Sequence, residues 1–213
     1  MSGSSDAWGE HMKKIVIATK NVGKLREMKA AFAHLPLEVV SLAAFGELPD
    51  AVEDGATFEA NARIKAHFFR EQTGCACIAD DSGIEIAALD GAPGVHSARF
   101  AGVHGDDAAN NAKMVAELKA RGLDASAADY RCALVFEDVD GTILTADGRV
   151  DGTVRLVPRG DGGFGYDPYF YVPRDGGREK TMAELTLAEK DAISHRGRAL
   201  RELVQELERY FDQ

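Results

Sequence analysis

The sequence predicts an α/β domain built on a mixed β-sheet flanked by helices. Three observations carry that expectation. Through the first half of the chain, short apolar runs of strand length alternate with segments of helical period. In the second half, Asp140-Gly141 is a hairpin signal that opens an antiparallel stretch. The 213 residues are 45% hydrophobic, enough for one domain or two closely joined lobes.

Residues 1–11 read as a disordered extension or remnant, and Met12 opens the first strand, centred on Ile15-Val16-Ile17-Ala18. The polar loop Thr19-Lys20-Asn21-Val22-Gly23-Lys24 follows. A helix is expected after Lys24, with Leu25, Met28, Phe32 and Leu35 at helical spacing, ending near Pro36. Residues 37–40 read as a second strand and 49–55 as an acidic loop. Thr57 is a candidate N-cap for a helix through Gln72 that Gly74 ends. Phe58, Ala62 and Phe69 share one face of it, and Asn61 and Lys65 another. Residues 75–79 read as a buried strand that breaks at Asp80-Asp81-Ser82-Gly83 and resumes over 84–89. Gly91-Ala92-Pro93-Gly94 reads as a turn.

Farther on, a helix is expected over 110–121 and a strand over 131–137. After the hairpin come strands at 142–145 and 152–156, a glycine-rich loop at 159–168 and a strand at 169–172. Thr181 with Glu184, and Thr186 with Glu189, are two capping boxes. Ser194 suits the N-cap of a last helix whose apolar stripe is Leu200, Leu203, Val204, Leu207 and Phe211.

The net charge of −10 argues against nonspecific nucleic-acid binding. A small anion then needs local lysines or a metal ion. No apolar run approaches the length of a membrane span, and the N-terminus lacks the pattern of a secretory signal. Three cysteines, an odd number, favour a reducing cytoplasm over a disulfide framework. Cys75-Ala76-Cys77 has no second pair to complete a metal site.

Four elements carry chemistry. A strand running through the 19–24 loop into a helix N-terminus offers an anion free backbone N–H groups and a helix dipole. Thr19, Asn21 and Lys24 add a hydroxyl, an amide and an ammonium; the alternative is a polar turn that caps a helix. Asp80 and Asp81 follow a buried strand, where acids need partners or a metal. Neighbouring strand side chains point to opposite faces, so the two need not serve one ion; the alternative is an Asx turn closing a hairpin. Phe164-Gly165-Tyr166-Asp167-Pro168 sets aromatics beside an acid, suited to stacking a base and accepting from its ring N–H, or to ordinary core packing. His195 and Arg196 start the last helix, where positive charge opposes the dipole unless an anion or electron-rich group lies near. Together they suit one ligand. Lys24, Lys65 and Lys190 neutralise a polyphosphate, Asp81 holds a metal, and Phe164, Asp167, His195 and Arg196 hold a base.

On these residues the chain resembles the inosine/xanthosine triphosphate pyrophosphatase family. The resemblance rests on Thr19 to Lys24, Thr57-Phe58-Glu59-Ala60-Asn61-Ala62, Ala79-Asp80-Asp81-Ser82-Gly83, Gly91-Ala92-Pro93-Gly94 with Ser97-Ala98-Arg99, Gly162-Gly163 with the Phe164 loop, and Ala183-Glu184-Leu185 with Lys190 and Ile193-Ser194-His195-Arg196-Gly197. These run in family order from Met12 to the C-terminus. The resemblance implies an elongated mixed sheet, two α/β lobes with an active-site cleft between them, and a homodimer. It implies Mg²⁺-dependent hydrolysis of ITP, dITP and XTP to monophosphate and pyrophosphate. Asp81 is then general base or metal ligand. Thr19, Lys20, Asn21, Val22, Gly23, Lys24, Lys65, Ser82 and Lys190 contact phosphate or sugar, and Phe164, Gly165, Tyr166, Asp167, His195 and Arg196 form the base pocket. Many relatives carry two consecutive acids before the equivalent of Gly55. Here the order is Val52-Glu53-Asp54-Gly55, so Glu53 is the candidate second metal acid beside Asp80 and Asp81. Two rivals are a Maf-like pyrophosphatase of modified pyrimidine nucleotides and a non-catalytic nucleotide sensor.

Overall fold

A computed structural model describes residues 12–212; the expected disorder of 1–11 lies outside them. The elements are β1 (Lys13–Ile17), α1 (Val22–Phe32), β2 (Leu37–Ser41), α2 (Phe58–Thr73), β3 (Ala76–Ile86), α3 (Asp107–Ala120), β4 (Ala125–Glu137), β5 (Ile143–Arg155), β6 (Phe170–Pro173), β7 (Glu179–Thr181), α4 (Leu187–Ile193) and α5 (His195–Phe211). The strands hydrogen-bond in the order β2-β1-β3-β4-β5-β6-β7. β1 pairs in parallel with β2 and β3, whereas β5–β6 and β6–β7 are antiparallel. The sheet is therefore mixed, as the alternation of elements predicts.

Two compact units share the chain. Among the described residues, the first comprises 12–81, 133–147 and 199–212, the second Ser82–Cys132 and Gly148–Arg198. In the first, Ile15, Val16, Ile17 and Ile78 from the strands, Met28 and Phe32 from α1, Ala62, Ala66 and Phe69 from α2, and Leu203 and Leu207 from α5 are buried. In the second, Ile84, Ile86, Met114, Leu118, Tyr130, Val154, Tyr166 and Phe170 form one apolar cluster.

Local hydrogen bonds explain where most elements begin. The Thr57 hydroxyl accepts the Ala60 N–H and starts α2, which ends at Gly74. Both capping boxes form, at Thr181 with Glu184 and at Thr186 with Glu189. Ser194 Oγ accepts the Gly197 N–H at the start of α5.

Several boundaries differ from expectation. β3 runs unbroken from Ala76 to Ile86, so Asp80-Asp81-Ser82-Gly83 is strand and not a turn. Likewise 143–155 is one strand with alternating burial, not two. α1 begins at Val22 rather than after Lys24, because Asn21 caps it and puts Lys24 in the first turn. α3 starts three residues earlier than expected, at Asp107, since the Asp106 carboxylate accepts the Ala109 N–H. β4 starts at Ala125 rather than Arg131.

Candidate active site

The first unit gathers the 19–24 loop, α2 and the first half of β3. Thr19 Oγ1 accepts the Asn21 N–H at 3.1 Å, and Asn21 Oδ1 accepts the Lys24 N–H at 3.0 Å. The polar-turn reading is thus physically present. The loop does more than cap, because Lys24 Nζ lies 2.7 Å from Asp80 Oδ2, a carboxylate only 1% exposed. Lys20, in contrast, reaches out to Asp50 at the surface, and Val22 is exposed.

α2 supplies two side chains that sit one turn apart. Asn61 is buried and bonded at both ends. Its Oδ1 accepts the Gly55 N–H at 2.8 Å, and its Nδ2 donates to Asp81 Oδ2 at 3.0 Å. Lys65 Nζ donates to the Asp80 carbonyl at 2.8 Å and pairs with Glu53 at 2.9 Å. Two ammoniums therefore face three carboxylates, Glu53, Asp80 and Asp81. Burial pulls the Lys65 pKa down. Asp80, the ion pair and hydrogen bond with Glu53, and Asp81 together outweigh it, so the ammonium is held above its ordinary value. Burial is also the largest influence on Asp81 and raises its carboxyl above the usual range, against Lys65, the Asn61 hydrogen bond and Lys24.

This donor set fits a hard cation. It offers carboxylate oxygens only, and among the described residues no group of three or more His, Cys, Asp or Glu is arranged to cage a metal. Magnesium asks for no such cage: one or two carboxylates suffice where water and phosphate oxygens complete the shell.

The second unit gathers the Phe164 loop, α4 and the start of α5. Asp167 is its hub. Its Oδ2 accepts the Phe164 N–H at 3.0 Å and pairs with Lys190 Nζ at 2.7 Å, and its Oδ1 accepts the Tyr130 hydroxyl at 3.3 Å. Burial, then Asp167, hold the Tyr130 phenol well above its ordinary pKa, so it stays a donor. A Cβ on Gly163 would overlap Asp167 Oδ2, and this residue sits at φ +74°, so glycine is needed where the loop passes the hub. Lys190 Nζ also lies 4.6 Å from the ring centroid of Phe164. Arg196 also approaches that ring, at 5.7 Å, and donates to Ser82 Oγ at 3.0 Å. His195 stacks on Tyr130, with centroids 4.7 Å apart. Tyr166 is a core residue whose hydroxyl donates to the Ser97 carbonyl at 2.9 Å, while Phe164 is half-buried.

Sequence reasoning left Asn61 and Tyr130 out of the site. Asn61 had a readable signal, four residues after an N-cap and one turn before Lys65. Tyr130 had none, being one strand aromatic among others.

The family model described as the Ham1 family matches residues 15–206. A protein named dITP/XTP pyrophosphatase from Syntrophobacter fumaroxidans is 50% identical over 199 residues, 93% of this chain and 82% of that one. A protein of the same name from Geobacter sulfurreducens is 47% identical over 189 residues, 89% of this chain and 94% of its own. Among solved structures, a HAM1 protein from Coxiella burnetii superposes with a TM-score of 0.83 at 42% identity, covering 93% of this chain and all of that one.

Proposed function

Because the chain belongs to the Ham1 family, we propose that it hydrolyses non-canonical purine nucleoside triphosphates, ITP, dITP and XTP, to monophosphate and pyrophosphate. The observation that carries this reading is the surroundings of Asp81: a half-buried carboxylate oriented by Asn61, in the electrostatic reach of Lys65 and Lys24. In the reaction, water attacks the α-phosphorus and the bond to the bridging oxygen of pyrophosphate breaks. Asp81 orients the water and takes its proton. Lys24 and Lys65 stabilise the charge that develops on the departing pyrophosphate. Asp81, with Glu53 and Asp80 as further candidates, would hold Mg²⁺, which when bound screens the phosphate oxygens.

Phe164 supplies a face for the base. Arg196 is a donor for the 6-oxo group of hypoxanthine or xanthine. Adenine presents an amino donor there, so a donor-lined pocket rejects it by leaving its own groups unpaired. The reading carries with it a homodimer and a cytoplasmic setting. Free thiols at Cys75, Cys77 and Cys132 support the latter. Among the described residues no helix is long and apolar enough to cross a membrane.

The test is a pyrophosphate-release panel over ITP, dITP, XTP, ATP, GTP and modified pyrimidine nucleotides, with and without Mg²⁺. We expect pyrophosphate and IMP from ITP, little turnover of ATP, and loss of activity in EDTA. IDP with orthophosphate would move the cleavage site. Preference for pyrimidines, or binding without turnover, would favour the rival readings. Asp81→Asn should lower kcat by about 10²–10⁴.

A further inference from the structure

The Phe164 loop is rich in glycine, yet one peptide pair in it is held from both sides by a helix that no part of the proposed chemistry uses. Asp107 and Asn111 lie four residues apart on α3, on one face of its first two turns. Asp107 Oδ2 accepts the Gly165 N–H at 2.7 Å. Asn111 Nδ2 donates to the Gly165 carbonyl at 2.9 Å. The N–H belongs to the peptide before Gly165 and the carbonyl to the peptide after it. The two contacts therefore fix both backbone torsions of Gly165, which sits at φ +62°.

We infer that Asp107 and Asn111 are positioning residues for the base pocket: they clamp Gly165 and thereby set the ring of Phe164 and its approach to Lys190 and Arg196. The inference rests on the proposed nucleotide reading. A second observation points the same way. Asn111 is buried, and its Oδ1 has no hydrogen-bond partner among the described residues. A half-satisfied buried amide is costly, and an apolar residue there would avoid the cost. The neighbouring Asn110 is satisfied at both ends, accepting from Ala101 and donating to Ala98. What Asn111 supplies in exchange is the bond to Gly165. Without the clamp, a left-handed glycine regains conformations that must be lost again when a base stacks on Phe164. That penalty falls on binding and leaves the surroundings of Asp81 alone.

The experiment is steady-state pyrophosphate release from ITP with Mg²⁺ by the full chain and by Asp107→Ala, Asp107→Asn and Asn111→Ala, with thermal unfolding of each. We expect KM to rise about tenfold in both alanine variants, with kcat within about threefold of wild type. Asp107→Asn keeps an acceptor oxygen and should stay within about threefold of wild-type KM. If Asn111→Ala fails to fold, the Asp107 pair carries the test, since that side chain is exposed. Unchanged KM in Asp107→Ala overturns the clamp. So does a loss of activity that tracks the loss of Tm and that asparagine does not rescue. A wild-type protein that binds or cleaves no purine nucleotide removes the functional reading first, and the clamp with it.

Discussion

Replacing Lys190 with methionine removes a buried charge while keeping most of the side chain's bulk. Lys190 Nζ stands 2.7 Å from Asp167 Oδ2, and the two side chains are 8% and 4% exposed, so water screens them little. At that separation and an effective dielectric constant of about 20, the attraction is roughly 6 kcal/mol. Not all of it is lost in the variant, because the Phe164 N–H and the Tyr130 hydroxyl still donate to Asp167. Removing one partner of a buried pair costs about 3–5 kcal/mol in general, and the remaining donors put this case near 3 kcal/mol. For a chain of this size that lowers Tm by about 6–12 °C. The assay is thermal unfolding at pH 7 of wild type, Lys190→Met, Asp167→Asn and the double variant. Once Lys190 is gone, Asp167→Asn removes a stranded charge. The double variant should therefore be more stable than the sum of the single losses implies, by about 2 kcal/mol. A loss under about 1 kcal/mol in Lys190→Met, with no coupling, would refute the reasoning from burial.

Two further outcomes follow from the same geometry. A Cβ at Gly197 would overlap the Asp191 carbonyl oxygen, and a backbone atom cannot rotate away; Gly197→Ala should cost about 1–3 kcal/mol in denaturant unfolding and raise KM for ITP by displacing His195 and Arg196. In metal-free protein, carboxyl NMR should find Asp81 titrating above about 3.9, and Lys65→Met should raise it further, since Lys65 pulls it down. With its folded value raised, Asp81 contributes stability at low pH that is lost as pH rises through that value, the reverse of an ordinary paired carboxylate.

What the sequence made legible was what local hydrogen bonds decide. Thr57, Thr186 and Ser194 cap helices through bonds to residues three positions on, so the cap and its helix can be read together. What it hid was decided by partners far along the chain. Asp80-Asp81-Ser82-Gly83 has the composition of a turn, yet it is strand. Lys24 answers Asp80 from 56 positions away, Asn61 answers Asp81, and Arg196 answers Ser82 from 114 positions away. Strand preference is a property of such surroundings more than of the residues themselves. The expected gap between strands at 142–145 and 152–156 likewise lies inside β5, where burial alternates through the segment. For Lys190 the sequence shows the charge but not its partner. Its ion pair with Asp167 is set by where the Phe164 loop folds back, which no spacing in the sequence announces.

The continuity of β3 also bears on Asp80 and Asp81, of which the sequence reading already favours Asp81. Consecutive residues of a strand present their side chains to opposite faces. Asp80 turns to the face that carries Lys24, where its carboxylate is 1% exposed and its charge is already answered. Asp81 turns to the other, stays half-buried, and takes one directed bond from an asparagine that is itself anchored by the Gly55 N–H. A buried carboxylate paired with an ammonium has little room for water, and removing its charge disturbs the loop that Lys24 belongs to. A half-buried one, oriented yet accessible and held above the usual carboxylate range by burial, can meet a water molecule and accept its proton. On the proposed reaction, the alternation of the strand gives Asp80 to Lys24 and leaves Asp81 to the attacking water. Asp80→Asn is for that reason expected to act first on stability and Asp81→Asn first on kcat.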